Sequence, residues 1–163
     1  MPGLLFSTSA IDACAREVVR QGAGAFAVKH LCDAVEIAWD LTAHDPMLNV
    51  SMLKTIGATV DPRNNDFRHT PVVFANGGSS ATHAEIPRML DNWVASVNDA
   101  CGPNGMLIED ARLLTREFLW IHPFKDGNGR TGFILYNLFR GNLRGLENNV
   151  LPWLYPLPEF KWM

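Results

Sequence analysis

Apolar residues recur at helical spacing along most of the chain, so the sequence predicts a mainly helical protein. The clearest run steps by four, three, four and three positions, as one buried face of a helix does. Its members are Leu107, Ala111, Leu114, Phe118 and Ile121. A last long helix is predicted beyond it, and glycines weaken its end. Its apolar positions are Ile134, Leu135, Leu138 and Phe139, and the glycines are Gly141 and Gly145.

Two helices are predicted in the first 45 residues. The first spans residues 7–20, where Ser9 and Asp12 form an imperfect capping box. The second spans residues 26–42, with a regular apolar face. Both are expected to pack as an N-terminal helical segment.

Local signals predict where two further helices begin. Asp45 followed by Pro46 suits an N-cap and a first helical position, and Gly57 is expected to end that helix. Thr82 and Glu85 predict a capping box for the next helix. The apolar face of that helix comprises Ile86, Leu90, Trp93 and Val97.

One segment between these helices predicts β-structure. Residues 59–69 are polar and indicate a loop, whereas residues 70–75 are a strand candidate. Residues 76–77 are Asn-Gly, a strong hairpin turn signal, and residues 78–81 would form the returning arm. A lone hairpin is marginal in water, so this one is expected to lean on the helices. The predicted fold class is therefore all-α with one small β-hairpin.

Composition narrows the class of protein further. A length of 163 residues with 47% hydrophobic content suits one globular domain. The net charge of −3 gives no basic field that would favour nucleic acid. We found no apolar run long enough for a membrane and no signal peptide pattern, so a cytoplasmic location is expected, with a secreted effector left open. Three cysteines without CxxC spacing fit a reducing compartment.

The candidate chemistry lies in residues 121–132, which read Ile-His-Pro-Phe-Lys-Asp-Gly-Asn-Gly-Arg-Thr-Gly. The glycines predict a tight turn with inward backbone N–H groups, and a helix beginning just after it would aim its positive end at the same place, as a phosphate site requires. Arg130 can add a charge-assisted fork. Asp126 suits a magnesium ion carried by nucleotide phosphates, and His122 suits a general base.

A simpler interpretation of the same stretch is a corner between two helices. In that case His122 would pack, Asp126 would cap a helix and the glycines would only turn the chain. Phe124 is expected to anchor the loop in the core, and Lys125 to be a solvated surface charge. Arg68 receives no role.

The run His-Pro-Phe-x-Asp-Gly-Asn-Gly-Arg resembles the signature of the Fic (Fic/Doc) family. That resemblance implies a helical fold in which the motif joins two central helices under a β-hairpin flap. It implies N-terminal helices over residues 1–45, a core over residues 46–145, a flap at residues 70–81 and an extended tail over residues 146–163. The motif itself covers residues 122–132.

The resemblance also implies a reaction, the transfer of AMP from ATP to a Ser, Thr or Tyr hydroxyl of a target protein. His122 would be the general base, Asp126 would hold Mg²⁺, and Arg130 would contact the phosphates. The anion hole would come from the backbone of Gly127, Asn128 and Gly129. The 70–81 hairpin would be a docking place for the target, which could bind as an added strand. An inhibitory or antitoxin-like partner chain is a candidate regulator.

One position departs from the family pattern. The family carries a second arginine three residues after the first, and this chain has Phe133 there. The lost contact is worth about 1.5–3 kcal/mol, which keeps open a different nucleotide donor, transfer of a phosphoryl group, or a catalytically silent binding module. Arg140 lies too far along the helix to replace it. Asp12 lies in a run that only partly matches the family's inhibitory motif, so it is interpreted as a helix acid.

Overall fold

The computed structural model describes residues 8–73 and 78–148, and it confirms a helical fold. The helices are α1 (Thr8–Arg20), α2 (Ala27–His44), α3 (Val50–Val60), α4 (Ile86–Ala100), α5 (Ile108–Ile121) and α6 (Asn128–Phe139). A single 3-10 turn, His83–Glu85, precedes α4. Across these residues no β-sheet is present, and no helix is both long and apolar enough to cross a membrane.

Helix α6 lies at the centre of the packing. It contacts α2, α3 and α5, and more weakly α1, while α4 packs mainly on α5. Four consecutive side chains of α6 are completely buried, namely Phe133, Ile134, Leu135 and Tyr136. A helix that is apolar on all sides belongs inside the core. The N-terminus of α6 is therefore held rigidly where the motif turn meets it.

The predicted start and end of the third helix were wrong. Asn49, not Asp45, is the N-cap of α3, and its side chain accepts a hydrogen bond from the Met52 amide at 2.8 Å. Asp45 instead accepts from the Met47 amide at 3.0 Å and forms a turn before the helix. The helix also continues past Gly57 to Val60, and Gly57 leaves space inside the helix for the Phe124 ring.

Both predicted capping boxes are absent from the described residues, and one predicted core residue is exposed. Ser9 lies inside α1. The Thr82 hydroxyl donates to the Glu85 carboxylate at 3.0 Å. The two side chains therefore bond each other, and Thr82 makes no side-chain hydrogen bond to the backbone as an N-cap. Leu107 is 74% exposed, because it precedes α5 as its N-cap and does not share its buried face.

The hairpin remains a prediction. Val73 and Ser79 form an isolated antiparallel bridge, and the Ser80 amide donates to the Val72 carbonyl at 3.2 Å. The Asn-Gly turn at residues 76–77 lies outside the described residues, as does most of the predicted tail.

Candidate functional site

One cavity of about 530 Å³ brings together all the residues that the sequence assigned to the site. This volume falls within the range of small-molecule sites, roughly 300–1,000 Å³. One wall is the motif, with His122, Asp126, Gly127, Asn128, Gly129 and Arg130. The rest of the lining comes from the end of α1 and the residues after it, Arg20, Gln21, Gly22 and Ala23. Sequence reasoning did not anticipate this part of the lining.

His122 is fixed by the end of α5. It caps that helix in the left-handed region, with φ of 52°. Its Nδ1 lies 3.1 Å from the Leu119 carbonyl oxygen, which can only accept, so Nδ1 carries the hydrogen and Nε2 carries the lone pair. Burial lowers the pKa of His122, and the charge of Arg68 adds to that, while the bond to Leu119 and the charge of Asp126 oppose it. The imidazole is therefore neutral near pH 7, as a proton acceptor must be.

Two asparagine side chains hold the motif loop by its backbone. Asn128 accepts from the Phe124 amide at 3.0 Å and donates to the Phe124 carbonyl at 2.9 Å. Asn64 accepts from the Asp126 amide at 3.3 Å and donates to the Asp126 carbonyl at 2.7 Å. Both amides are buried, at 2% exposure each, so their bonds are well shielded from water. The loop shape is thereby set from both sides.

Phe124 fastens the loop to the core, in agreement with its interpretation as an anchor. Its side chain is completely buried and packs beside Phe67 and Phe118, with ring centroids 5.8 and 6.4 Å away. A Cβ on Gly57 would lie 2.2 Å from the Phe124 ring, far inside contact distance. Gly57 thus makes room for the ring within α3.

The N-terminus of α6 carries two of the three backbone amides that were predicted to form an anion hole. The first helical bond runs from the Thr131 amide to the Gly127 carbonyl at 2.9 Å, so the amides of residues 128–130 have no carbonyl one turn back. The Gly127 amide is different, because it donates to the Asp126 carboxylate at 2.7 Å. Of the three predicted anion-hole amides, those of Asn128 and Gly129 are therefore still available to a ligand. The amide of Arg130 lies beside them in the first turn of the helix.

Two charged side chains that line the cavity, Asp126 and Arg130, form ion pairs with charged residues outside it. Arg63 Nη2 donates to Asp61 at 2.7 Å and to Asp126 at 2.8 Å. Arg130, only 7% exposed, has Nη2 at 4.0 Å from Asp61 and 3.8 Å from Asp126. The bond from Arg63 holds the pKa of Asp61 below its ordinary value and raises that of Arg63. Both carboxylates are thus balanced by a guanidinium.

Arg68, to which the sequence analysis gave no role, connects several backbone segments next to the site through hydrogen bonds. Its guanidinium is buried, at 4% exposure, and burial lowers its pKa. It donates to the carbonyls of Ile121, His122, Thr70 and Ala81 and to the hydroxyl of Ser80. One cation therefore ties the arms of the predicted hairpin to the end of α5.

Four other positions that the sequence analysis considered do not line this cavity. Phe133 is completely buried in the core, and Lys125 is exposed, as expected of a surface charge. Arg140 donates to the Met106 carbonyl at 2.6 Å and lines no part of this cavity. Asp12 is exposed on α1.

The residues fit a magnesium ion that arrives with a ligand. In residues 8–73 and 78–148, no group of three or more His, Cys, Asp or Glu side chains could hold a metal ion. Asp126 offers a single carboxylate that is 56% exposed. Mg²⁺ keeps several waters and takes one or two carboxylates plus substrate phosphates, so such a donor is sufficient.

The family profile of the Fic/DOC family matches residues 47–140, more than half of the chain. The chain therefore belongs to the Fic/DOC family, whose members commonly transfer nucleotides or other groups onto proteins.

Among the solved structures that are similar to this one is a Fic domain containing signaling protein from Bacteroides thetaiotaomicron. The TM-score is 0.59 at 24% sequence identity, and the match covers 69% of this chain and 46% of that chain. At this identity the likeness supports the fold alone. The chain thus matches less than half the length of that protein. No curated protein matches the sequence.

Proposed function

We propose that this protein is a Mg²⁺-dependent adenylyltransferase that moves AMP from ATP to a Ser, Thr or Tyr hydroxyl of a target protein. One observation carries the proposal. The Nδ1 of His122 is hydrogen-bonded to the Leu119 carbonyl, which leaves Nε2 as the proton acceptor. His122 lines the same cavity as Arg130 and the N-terminus of α6. A neutral base and an anion site therefore share one space.

In the proposed reaction, Nε2 of His122 takes the proton of the attacking hydroxyl. The hydroxyl oxygen forms a bond to the α-phosphorus of ATP, and the bond from that phosphorus to the pyrophosphate oxygen breaks. Pyrophosphate leaves with the bonding electrons. Arg130 and the amides of residues 128–130 stabilise the charge on the phosphate oxygens, and positioning of this kind supplies most of the catalysis in such transfers.

Asp126 would hold the metal ion that accompanies the nucleotide. When bound, Mg²⁺ would neutralise phosphate charge and stabilise the leaving pyrophosphate. Asp126 already bonds Arg63 and the Gly127 amide. Metal binding there would exchange the exposed Arg63 contact for the ion, which makes the affinity of the site for Mg²⁺ dependent on Arg63.

The target would dock beside the cavity on the 70–81 segment. Val73 is 70% exposed on the first arm, and backbone pairing with an extended peptide reads shape more than side chains. Arg68 joins both arms to the end of α5, so a segment docked there would lie near His122. Control by an inhibitory or antitoxin-like partner chain is part of this proposal.

Phe133 favours a second candidate, in which the same site uses another donor or passes on a phosphoryl group. Its side chain is completely buried, so position 133 gives the cavity no cation. A catalytically silent Fic-like binding module is the third reading of the same feature. Labelling with several nucleotides distinguishes these candidates. An α-phosphorus label is transferred with a nucleotide, whereas a γ-phosphorus label is transferred with a phosphoryl group.

Transfer from ATP tests the proposal directly. The protein with Mg²⁺ and α-labelled ATP is expected to label a protein in cell extract or itself, and His122→Ala should lower the rate by about 10²–10⁴. His44→Ala is a matched control, because His44 Nδ1 also contacts a carbonyl of its own helix, that of Asp40, but is exposed. Labelling that survives His122→Ala would contradict the assignment of the base.

A further inference from the structure

Arg20 lines the same cavity as the motif, and a buried carboxylate holds its side chain. Glu17, one turn earlier in α1, is completely buried. Its carboxylate accepts from Arg20 Nη2 and, at 3.2 Å, from Arg20 Nε. It also accepts from Gln21 at 2.6 Å. A buried carboxylate with three such bonds fixes the direction of the guanidinium more firmly than a surface ion pair could.

The held guanidinium retains binding capacity toward the cavity. Arg20 lines the cavity together with Arg130 and the motif turn. The Nη1 group of Arg20 is engaged by no residue in the described ranges. A planar guanidinium with one edge occupied can still donate two N–H groups from its other side.

The motif by itself supplies limited positive charge for a polyphosphate. Arg130 lies within 4.0 Å of both Asp61 and Asp126, so its charge is shared with two carboxylates. Position 133 is a buried phenylalanine and contributes none. A ligand with several negative charges is held best when cations approach it from more than one side.

We propose that Arg20 is a second phosphate-binding residue of this cavity, supplied by the N-terminal helix and positioned by Glu17. The ligand class is the polyphosphate chain of a nucleotide, so the inference rests on the proposed function. In this arrangement Arg130 binds the phosphates from α6 and Arg20 binds them from α1. A role confined to stabilising the end of α1 would leave ligand affinity unchanged, and this difference makes the two roles separable.

Calorimetry with inorganic tripolyphosphate plus Mg²⁺, and separately with adenosine, tests the proposal on the full chain. Loss of a charge-assisted contact of about 1.5–3 kcal/mol corresponds to a loss of roughly 10- to 150-fold in affinity. Arg20→Ala is expected to weaken tripolyphosphate binding by that factor and to leave adenosine binding unchanged. Arg16→Ala is the matched control, because Arg16 is exposed on the same helix and does not line the cavity.

Two further variants keep the test decisive if Arg20→Ala unfolds the end of α1. Arg20→Lys retains the charge without the fork, and an intermediate affinity is expected. Glu17→Gln retains Arg20 but removes the charge that positions it, and weaker tripolyphosphate binding is again expected. Thermal unfolding of each variant reports any loss of folding.

The outcomes distinguish this inference from the proposed function. Tripolyphosphate binding that is equal in wild type, Arg20→Ala and Arg20→Lys would overturn the role of Arg20 and leave the adenylyltransferase proposal standing. A wild-type protein that binds neither tripolyphosphate nor ATP with Mg²⁺ would overturn both. Labelling of a protein from ATP with unaltered tripolyphosphate binding in Arg20→Ala would overturn this inference alone.

Discussion

Arg68 donates from Nε to the carbonyl oxygen of His122 at 2.5 Å. The same side chain donates from Nη2 to the Ile121 carbonyl at 3.2 Å, so one cation closes the C-terminus of α5, where the helix dipole is negative. His122 holds a positive φ of 52°, which residues other than glycine rarely adopt. The contact from Arg68 stabilises that backbone and keeps the imidazole at the cavity.

Replacement of Arg68 is expected to destabilise the whole domain. Arg68→Ala leaves several buried carbonyls without a donor, each costing about 1–3 kcal/mol. The free energy of unfolding should therefore fall by more than about 2 kcal/mol, measured by urea denaturation. Arg68→Lys keeps the charge but cannot reach acceptors on both sides, so most of the loss should remain. Wild-type stability in Arg68→Lys would show that charge alone is sufficient.

Gly57 should tolerate no side chain while Phe124 is present. A Cβ would lie 2.2 Å from the ring, and overpacking of this kind costs about 1–3 kcal/mol. This loss is expected even though alanine is the better helix former by about 1 kcal/mol. Gly57→Ala should lower the melting temperature. It should also weaken nucleotide binding, because a displaced Phe124 ring would shift the motif loop to which it belongs.

A double-mutant cycle checks the cause of that loss. Phe124→Leu removes ring volume and costs stability by itself, but it makes room for the new methyl group. The double variant Gly57→Ala, Phe124→Leu should therefore be more stable than the sum of the two single effects predicts. Simple additivity would mean that the methyl group and the ring do not collide.

The sequence predicted the motif half of the site because those residues are close along the chain. His122, Asp126 and Arg130 recur every four positions, so one turn between two helices brings them together. The amphipathic pattern of α5 also placed His122 at the end of that helix, where the structure has it. Spacing along the chain was therefore enough to predict the part of the site that comes from one short segment.

The other half could not be predicted, because its partners are more than 50 positions away. The predicted polar loop at residues 59–69 has no periodicity, and it contains Asp61, Arg63, Asn64 and Arg68. Arg20 lies about 100 residues before the motif, at the end of a helix whose relation to it no local pattern encodes. The third helix start was wrong because Asn49 and Asp45 are equally good caps by residue type, and packing chose between them.

The pH dependence of transfer should report the environment of His122. Burial depresses its pKa, so the reactive neutral form persists below the ordinary value of about 6.5. The rate is expected to be flat near neutrality and to fall only at pH values below 6.5. A rate that begins to fall well above pH 6.5 would contradict the depressed pKa.

The same shift predicts how stability depends on pH. With its folded pKa below the unfolded one, His122 binds more protons when unfolded, so stability is lost as pH falls from about 6.5 toward the folded pKa. His122→Asn is a suitable reference, because asparagine tolerates the left-handed backbone and does not titrate. The stability of wild type relative to this variant should fall with pH across that window.

Arg63 should set the magnesium requirement of the reaction. Its guanidinium donates to Asp126 at 2.8 Å and so competes with a cation for the same carboxylate. Arg63→Ala is expected to lower the Mg²⁺ concentration that gives half-maximal transfer at saturating ATP. The matched control is Arg88→Ala, because Arg88 pairs with Glu85 at 3.1 Å and its side chain is 67% exposed, against 65% for Arg63. A higher Mg²⁺ requirement in Arg63→Ala would instead show that Arg63 contributes to binding the phosphates, since the loss of a competing cation can only favour the metal.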